Sequence, residues 1–188
     1  MFYNYDVIVI GAGAAGLMCS IEAGKRKRSV CLIEHTSKIA EKIRISGGGR
    51  CNFTNLYSSD RNFISKNIHF SKSAFGKYDQ NDFVSLVSKH NIEYYEKKLG
   101  QLFCKKSARE IIEMLISECK DQDIKIKLET SVITISKEKD NYFVKTNKGN
   151  FSSKSLVVAT GGLSIPKIGA TDLGYRIAKQ FNLNITNL

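Results

Sequence analysis

The spacing of apolar residues changes along the chain, and each spacing predicts a different element. Asp6 to Ile10 (Asp-Val-Ile-Val-Ile) is an unbroken β-branched run, the pattern of a strand buried on both faces. Leu17 to Gly24 is small and apolar and reads as a helix, and Ser29 to Glu34 repeats the buried-strand pattern. Together they predict a βαβ unit over residues 5–34. Residues 36–57 read as a loop with three consecutive glycines at 47 to 49. Asp79 to His90 places Phe83, Leu86 and Val87 on one helical face, with Asp79 as a cap. Glu93 to Phe103 reads as a short hairpin around Gly100. Ser107 to Lys120 is a helix opened by a Ser107/Glu110 capping box, with Ile111, Ile112, Leu115, Ile116 and Cys119 as its buried stripe. Residues from about 79 to 122 thus form a helical insertion. From Ile124 the period becomes two, through 124–128, 132–136 and 142–146, and a turn at Asn147-Lys148-Gly149 leads to 151–153. This predicts an antiparallel meander over about 124–153. Ser155 to Thr160 is again an apolar strand, closed by Gly161-Gly162, and Thr171 to Phe181 is a last helix capped by Thr171 or Asp172.

The fold class expected is therefore α/β: a Rossmann-like domain with a parallel sheet and a small antiparallel β-meander. The 188 residues suit one domain with an insertion, and 42% hydrophobic with 25% charged residues is ordinary globular composition. Five cysteines, an odd number without a CxxC pair, argue against a disulfide framework and a zinc site and fit a reducing, cytoplasmic setting. His35, His69 and His90 have no metal-ligand spacing. The N-terminus lacks a signal-peptide pattern, and its apolar stretch is too short to span a bilayer, so no membrane is expected. Net charge is +11, but the basic residues are scattered (Lys25 to Arg28, Lys97 to Lys98, Lys105 to Lys106, Lys125 to Lys127). No single basic block with interleaved aromatics stands out, so a solvated surface is expected rather than a nucleic-acid partner.

Three segments carry chemistry. Gly11-x-Gly13-x-x-Gly16 lies between a strand and a helix, with Glu34 ending the next strand. That context marks a dinucleotide loop: glycines at 11, 13 and 16 for the turn, for approach of a pyrophosphate and for helix–strand packing. The helix N-terminus offers N–H groups to the anion, and Glu34 offers acceptors to a ribose diol. Ser46 to Asn55, with Gly47, Gly48 and Gly49, suits a flat ligand lying on bare backbone. Arg50 supplies a fork of donors there, and Asn52 and Asn55 supply local hydrogen bonds. Val158 to Gly162 ends a buried strand at the carboxyl edge of a parallel sheet, which by itself suits a plain strand-to-loop turn as well as a second ligand contact. Cys51 lies in the glycine loop but lacks a resolving cysteine nearby in sequence, and reads as a small buried residue.

The strings Lys42-Ile43-Arg44-Ile45-Ser46-Gly47-Gly48-Gly49-Arg50-Cys51-Asn52-x-Thr54-Asn55 and Ala159-Thr160-Gly161-Gly162-Leu163-Ser164-x-Pro166-Lys167-x-Gly169-Ala170-Thr171 resemble the aminoacetone oxidase-like, or BaiN-like, NAD(P)/FAD-dependent oxidoreductases. The resemblance implies a two-dinucleotide-binding FAD domain and flavin-mediated hydride transfer. NAD(P)H or a small organic molecule would be the donor. It implies that Gly11, Ala12, Gly13, Ala14, Ala15 and Gly16 cradle the pyrophosphate and that Glu34 and His35 meet the ribose. Lys42 and Ser46 to Asn52 (Gly47, Gly48, Gly49, Arg50 and Cys51 among them) would approach the ribityl chain and isoalloxazine. Val132 would meet adenine, and Ala159, Thr160 and Gly161 would close over the cofactor. No catalytic residue is assigned. The sequence departs from the family in having Cys104 where a proline is usual. Family members are also longer, with a second, substrate domain and a returning C-terminal segment. The expectation is therefore an FAD domain lacking the C-terminal part, active as an oxidoreductase or incomplete without a partner chain or oligomer. An NAD-only dehydrogenase is disfavoured, because the meander interrupts strand–helix alternation.

Overall fold

The computed structural model describes residues 2–166 and 169–186. Two compact units divide the chain, one built from residues up to Lys42 together with those from Leu115 onward, the other from Ile43–Met114.

In the first unit β1 (Tyr3–Ile10) leads into α1 (Ala14–Lys25) and β2 (Val30–Ile33). β1 and β2 pair in parallel, Val7 opposite Val30 and Ile10 opposite Ile33. The unbroken β-branched runs fit this position, because both faces of these strands are covered. Helix α1 lays Gly16, Leu17, Ser20, Ile21 and Gly24 inward. Ile8, Val9, Leu17, Ile21, Cys31 and Leu32 are fully buried, each apolar side chain contributing about 1.5–3 kcal/mol.

The second unit, in chain order, holds α2 (Glu41–Ile45, beginning just before it), β3 (Asn52–Asn55), α3 (Lys72–Phe75), α4 (Gln80–Lys89), β4 (Tyr94–Glu96) and β5 (Gln101–Cys104). The expected hairpin is present as β4 against β5, with Tyr95 opposite Phe103. The capped helix is present as α4: the Asp79 carboxylate accepts from the N–H groups of Asn81 (2.7 Å) and Asp82 (3.2 Å). β3 adds a third antiparallel strand beside β5, giving the order β3-β5-β4. This strand lies within residues 36–57, whose glycines predict a loop.

Helix α5 (Ala108–Asp121) runs from the second unit into the first. Half of its expected capping box forms: the Ser107 N–H donates to Glu110 Oε2 (3.3 Å), while Ser107 Oγ accepts from the Arg109 N–H (3.2 Å) rather than from that of Glu110. The first unit then continues with β6 (Lys125–Lys127), β7 (Val132–Glu138), β8 (Asn141–Thr146), β9 (Gly149–Val158) and α6 (Leu173–Gln180). Its sheet has six strands in the order β6-β2-β1-β9-β8-β7.

Residues 124–128 do not belong to the meander: β6 pairs in parallel with β2, Cys31 opposite Lys125. Its alternation comes from edge position, with Ile126 half-buried between exposed lysines. The closing strand is also not separate from the meander. β9 is one ten-residue strand that pairs antiparallel with β8 and in parallel with β1 along Tyr3 to Ile10. Ser152 and Ser153 are buried in it. Ser153 Oγ donates to the carbonyl of Ser155 (2.8 Å), and Ser152 bonds to Asn4, so their polarity is satisfied. In α6 the Asp172 side chain does not cap the helix; it takes Arg176 Nε at 2.9 Å instead.

Burial also sets the chemistry of the thiols. Desolvation pushes Cys31 and Cys104 from the ordinary thiol value up to about 12, and Cys119 up to about 11. The unfolded chain releases these protons first, so stability is full below about pH 9 and falls as pH rises toward 12. Native protein treated with iodoacetamide at pH 8.5 is expected to leave these three cysteines unmodified, and urea-unfolded protein to label all of them. Equal labelling in both states would refute their burial.

Candidate dinucleotide-binding site

The loop from β1 to α1 is shaped by contacts that exclude side chains. Gly11 has φ +106°, and a Cβ there would lie 2.5 Å from the Ala159 carbonyl oxygen. A Cβ on Gly16 would lie 1.8 Å from the Gly11 oxygen. Gly13 differs: nothing stands within 4 Å of its Cβ position. Gly13 is the N-cap of α1, which has no side-chain cap and no acidic residue in its first turn. The first helix bond is Leu17 N–H to Gly13 O (3.0 Å), and Ala14 and Ala15 are exposed. Open space thus faces uncapped N–H groups at the positive end of a twelve-residue helix.

Glu34 is 9% exposed. Its Oε2 accepts from the Ala12 N–H (2.9 Å), and its Oε1 from the Thr36 N–H (2.9 Å) and Oγ1 (3.0 Å). His35 Nδ1 stands 2.9 Å from Oε1. A carboxylate has about four acceptor positions, so Oε2 retains one after serving Ala12. Ala12 is fully committed to the protein: its carbonyl also accepts from the Ala40 N–H at 3.0 Å.

A narrow cleft of about 40 Å³ brings several predicted residues together: Gly11, Glu34, His35, Val132 and Thr160. Thr130, Thr171 and Leu173 also line it and were not anticipated. The Thr130 N–H donates to the Glu34 carbonyl at 2.8 Å. Once β6 is placed beside β2, the chain leaving β6 must pass the end of β2, which was the available signal for Thr130. Lys42 Nζ donates to Ser164 Oγ (2.9 Å) and, longer, to the Gly162 carbonyl (3.4 Å). It also lies 3.5 Å from the Cβ position of Gly161.

Ser46 to Asn52 lie in the second unit. Gly47, Gly48 and Gly49 have φ of +57°, +66° and +84°, a run that costs about 1–2 kcal/mol per residue for other L-amino acids. The turn closes through Cys51 N–H to Ser46 O (3.0 Å), and Ser46 Oγ donates to Ile43 O (2.8 Å). Nothing stands within 4 Å of the Cβ positions of Gly48 and Gly49, whereas a Cβ on Gly47 would meet the Phe103 ring at 2.7 Å. Asn52, with its amide oriented to satisfy both ends, donates to the carbonyls of Leu102 and Thr54 at 3.2 Å. Asn55 accepts from the Tyr57 N–H and donates to Leu99 O, both at 2.8 Å. Arg50 Nη1 reaches Tyr95 Oη only at 3.4 Å, leaving its other donors available. Cys51 is buried, and desolvation raises its thiol. Cys104 is near enough for the two thiols to interact, a neighbour invisible in sequence.

The glycine turn, the uncapped helix and the acid ending the second strand fit a dinucleotide. They define a Rossmann-like domain of the oxidoreductase type. The chain belongs to the HI0933-like family, whose Rossmann domain matches residues 5–188. It is 47% identical over 182 residues to "Ribosomal RNA dihydrouridine synthase" of Escherichia coli strain K12, covering 97% of this chain and 46% of that protein. It is 46% identical to the protein of the same name from Haemophilus influenzae, covering 95% and 45%. The chain thus spans about half the length of the curated relatives it matches. A "3-dehydro-bile acid delta(4,6)-reductase" of Clostridium scindens is 22% identical over 92% of this chain and 42% of that protein. Among solved structures, the Diels-Alderase PyrE3 shares the fold at TM-score 0.56 and 15% identity, over 87% of this chain and 34% of that one. The names carried by the 46% and 47% relatives differ from the aminoacetone oxidase-like label the motifs suggested. No helix among the described residues is long and apolar enough to cross a membrane.

Proposed function

We propose that the chain is the FAD-binding portion of an oxidoreductase that reduces uridine to dihydrouridine in ribosomal RNA. The observation that carries this reading is the 47% identity, across 97% of the chain, to a relative named for that activity. A net charge of +11 suits a polyanionic substrate. This reading replaces the small-molecule substrate and the absence of a nucleic-acid partner expected from the sequence.

Reduction of uridine adds one hydride and one proton across the C5–C6 double bond of the base. FAD supplies a two-electron carrier for such chemistry, recharged by a donor of the NAD(P)H class. In this assignment the N–H groups of Gly13 to Gly16 bind the pyrophosphate. Glu34 Oε2 accepts from the ribose diol, with His35, Thr130, Val132 and Thr160 around the adenosine. Lys42 and Ala159 to Gly161 hold the middle of the cofactor. Gly47 to Gly49 offer bare backbone to the flat ring, and Arg50 offers positive charge to its electron-rich edge.

The test compares ribosomal RNA from the source organism with that from a strain lacking the gene, digested to nucleosides and analysed by mass spectrometry. Dihydrouridine should disappear from ribosomal RNA on deletion and return when the gene is restored. An unchanged dihydrouridine content would overturn the proposal.

A further inference from the structure

Between β3 and α4 the chain runs from Leu56 to Asp79 with only two single helical turns, Asp60–Asn62 and α3. A connection of this length is uncommon unless functional. It is not loose. Ser59 Oγ donates to Asn62 Oδ1 (3.1 Å), Asn67 Oδ1 accepts from the His69 N–H (3.0 Å) and Ser71 Oγ reaches the Asp60 carbonyl (3.3 Å). The Phe63 and Phe75 rings pack with centroids 5.7 Å apart.

Having ordered its backbone internally, the segment turns apolar side chains outward. Every residue from 61 to 70 is exposed. Phe70 is 78% exposed, Tyr57 71%, Phe63 54% and Ile64 100%. The order of side chains is as telling as their exposure. Tyr57, Arg61, Phe63, Lys66, Phe70, Lys72, Phe75, Lys77 and Tyr78 alternate aromatic and cation throughout, and Asp60 is the only acid among them. Arg61, Lys66, Lys72 and Lys77 form no ion pair among the described residues. The cations are single and several residues apart, so they form no basic block in the sequence.

The geometry points to this segment as the surface that grips the single-stranded RNA substrate, an inference that rests on the function proposed above. Aromatic faces stack on unpaired bases of any sequence, and cations spaced between them meet the phosphates. Three of the four cations are lysines, the type depleted from protein–protein interfaces, so charge favours RNA over a protein partner.

The test uses the full-length holoprotein and a short uridine-rich single-stranded RNA carrying 4-thiouridine. Photocrosslinks should map to the peptide containing Tyr57 to Tyr78. Phe63→Ala with Phe70→Ala should weaken binding of this RNA by about tenfold or more. Lys66→Gln, Lys72→Gln and Lys77→Gln together should lower the slope of log affinity against log salt by about two. The flavin content and melting midpoint of these exposed-site variants should match wild type, which separates lost contact from lost folding. Crosslinks confined to other peptides, or variants that bind as wild type, overturn this inference. If wild type still makes dihydrouridine in ribosomal RNA, the function stands without it; if wild type neither binds nor modifies RNA, both fall.

Discussion

Gly13→Asp should leave the chain folded but unable to retain a dinucleotide, whereas Gly16→Ala should strongly destabilise it. The two glycines lie one helical turn apart and act through opposite terms. At Gly16 a methyl group would lie 1.8 Å from the Gly11 carbonyl oxygen. That oxygen belongs to the backbone of a turn whose N–H is tied to Ile33 O at 2.8 Å. Overpacking against a fixed backbone costs about 3 kcal/mol or more, a large share of a domain stability of about 5–15 kcal/mol. At Gly13 φ is −80°, suitable for any residue, and the Cβ position is open. Aspartate is a better N-cap than glycine by a few tenths of a kcal/mol, and its charge gains about 0.3–1 kcal/mol at the helix N-terminus. The flavin-free Gly13→Asp protein should therefore melt at or slightly above the wild-type midpoint. The same carboxylate would sit where the pyrophosphate must, a like-charge contact costing several kcal/mol, so FAD affinity should fall about 100-fold or more. Thermal melts with fluorescence titration of FAD separate the two effects. A Gly13→Asp protein that keeps FAD would remove the pyrophosphate from this loop.

Glu34→Ala should be the second severe change, for a reason the ribose assignment alone does not supply. Its carboxylate takes the Ala12 N–H, which is wholly buried, and the Thr36 N–H, each at 2.9 Å. Leaving a buried donor such as the Ala12 N–H without an acceptor costs about 1–3 kcal/mol, and the half-buried Thr36 N–H loses its partner too, so a loss of about 2 kcal/mol is expected in urea unfolding. Glu34→Gln is not a mild replacement. Whichever way the amide turns, its NH₂ faces either the Ala12 or the Thr36 N–H, and about 1–2 kcal/mol is lost. Because Oε1 serves more donors, the NH₂ should take the Oε2 position, where it removes the free acceptor and FAD affinity should drop by about tenfold. Stability equal to wild type would show that Glu34 does not hold the loop; equal FAD affinity would show that it does not meet the ribose.

The readable parts of the fold were those where one residue type serves one purpose. Gly11, Gly13 and Gly16 after a β-branched run announced the βαβ unit, and Asp79, Ser107 and Glu110 announced helix starts. Residues serving two neighbours misled. Lys125-Ile126-Lys127 alternates like an antiparallel strand because one face of a parallel edge strand meets solvent. Phe151 to Ser153 and Ser155 to Thr160 read as two strands because the partners of Ser152 and Ser153, Asn4 and the Ser155 carbonyl, cannot be inferred from local sequence. In the candidate site the glycines and Glu34 were legible from spacing. Thr130 and Thr171 were not, since only strand order brings them to the cleft.

The most direct measurement is the absorbance spectrum of the purified chain after incubation with FAD and desalting. The account predicts flavin bands in the near-ultraviolet and blue that survive desalting in wild type and vanish in Gly13→Asp. A wild-type chain that is folded by circular dichroism yet emerges colourless would contradict it.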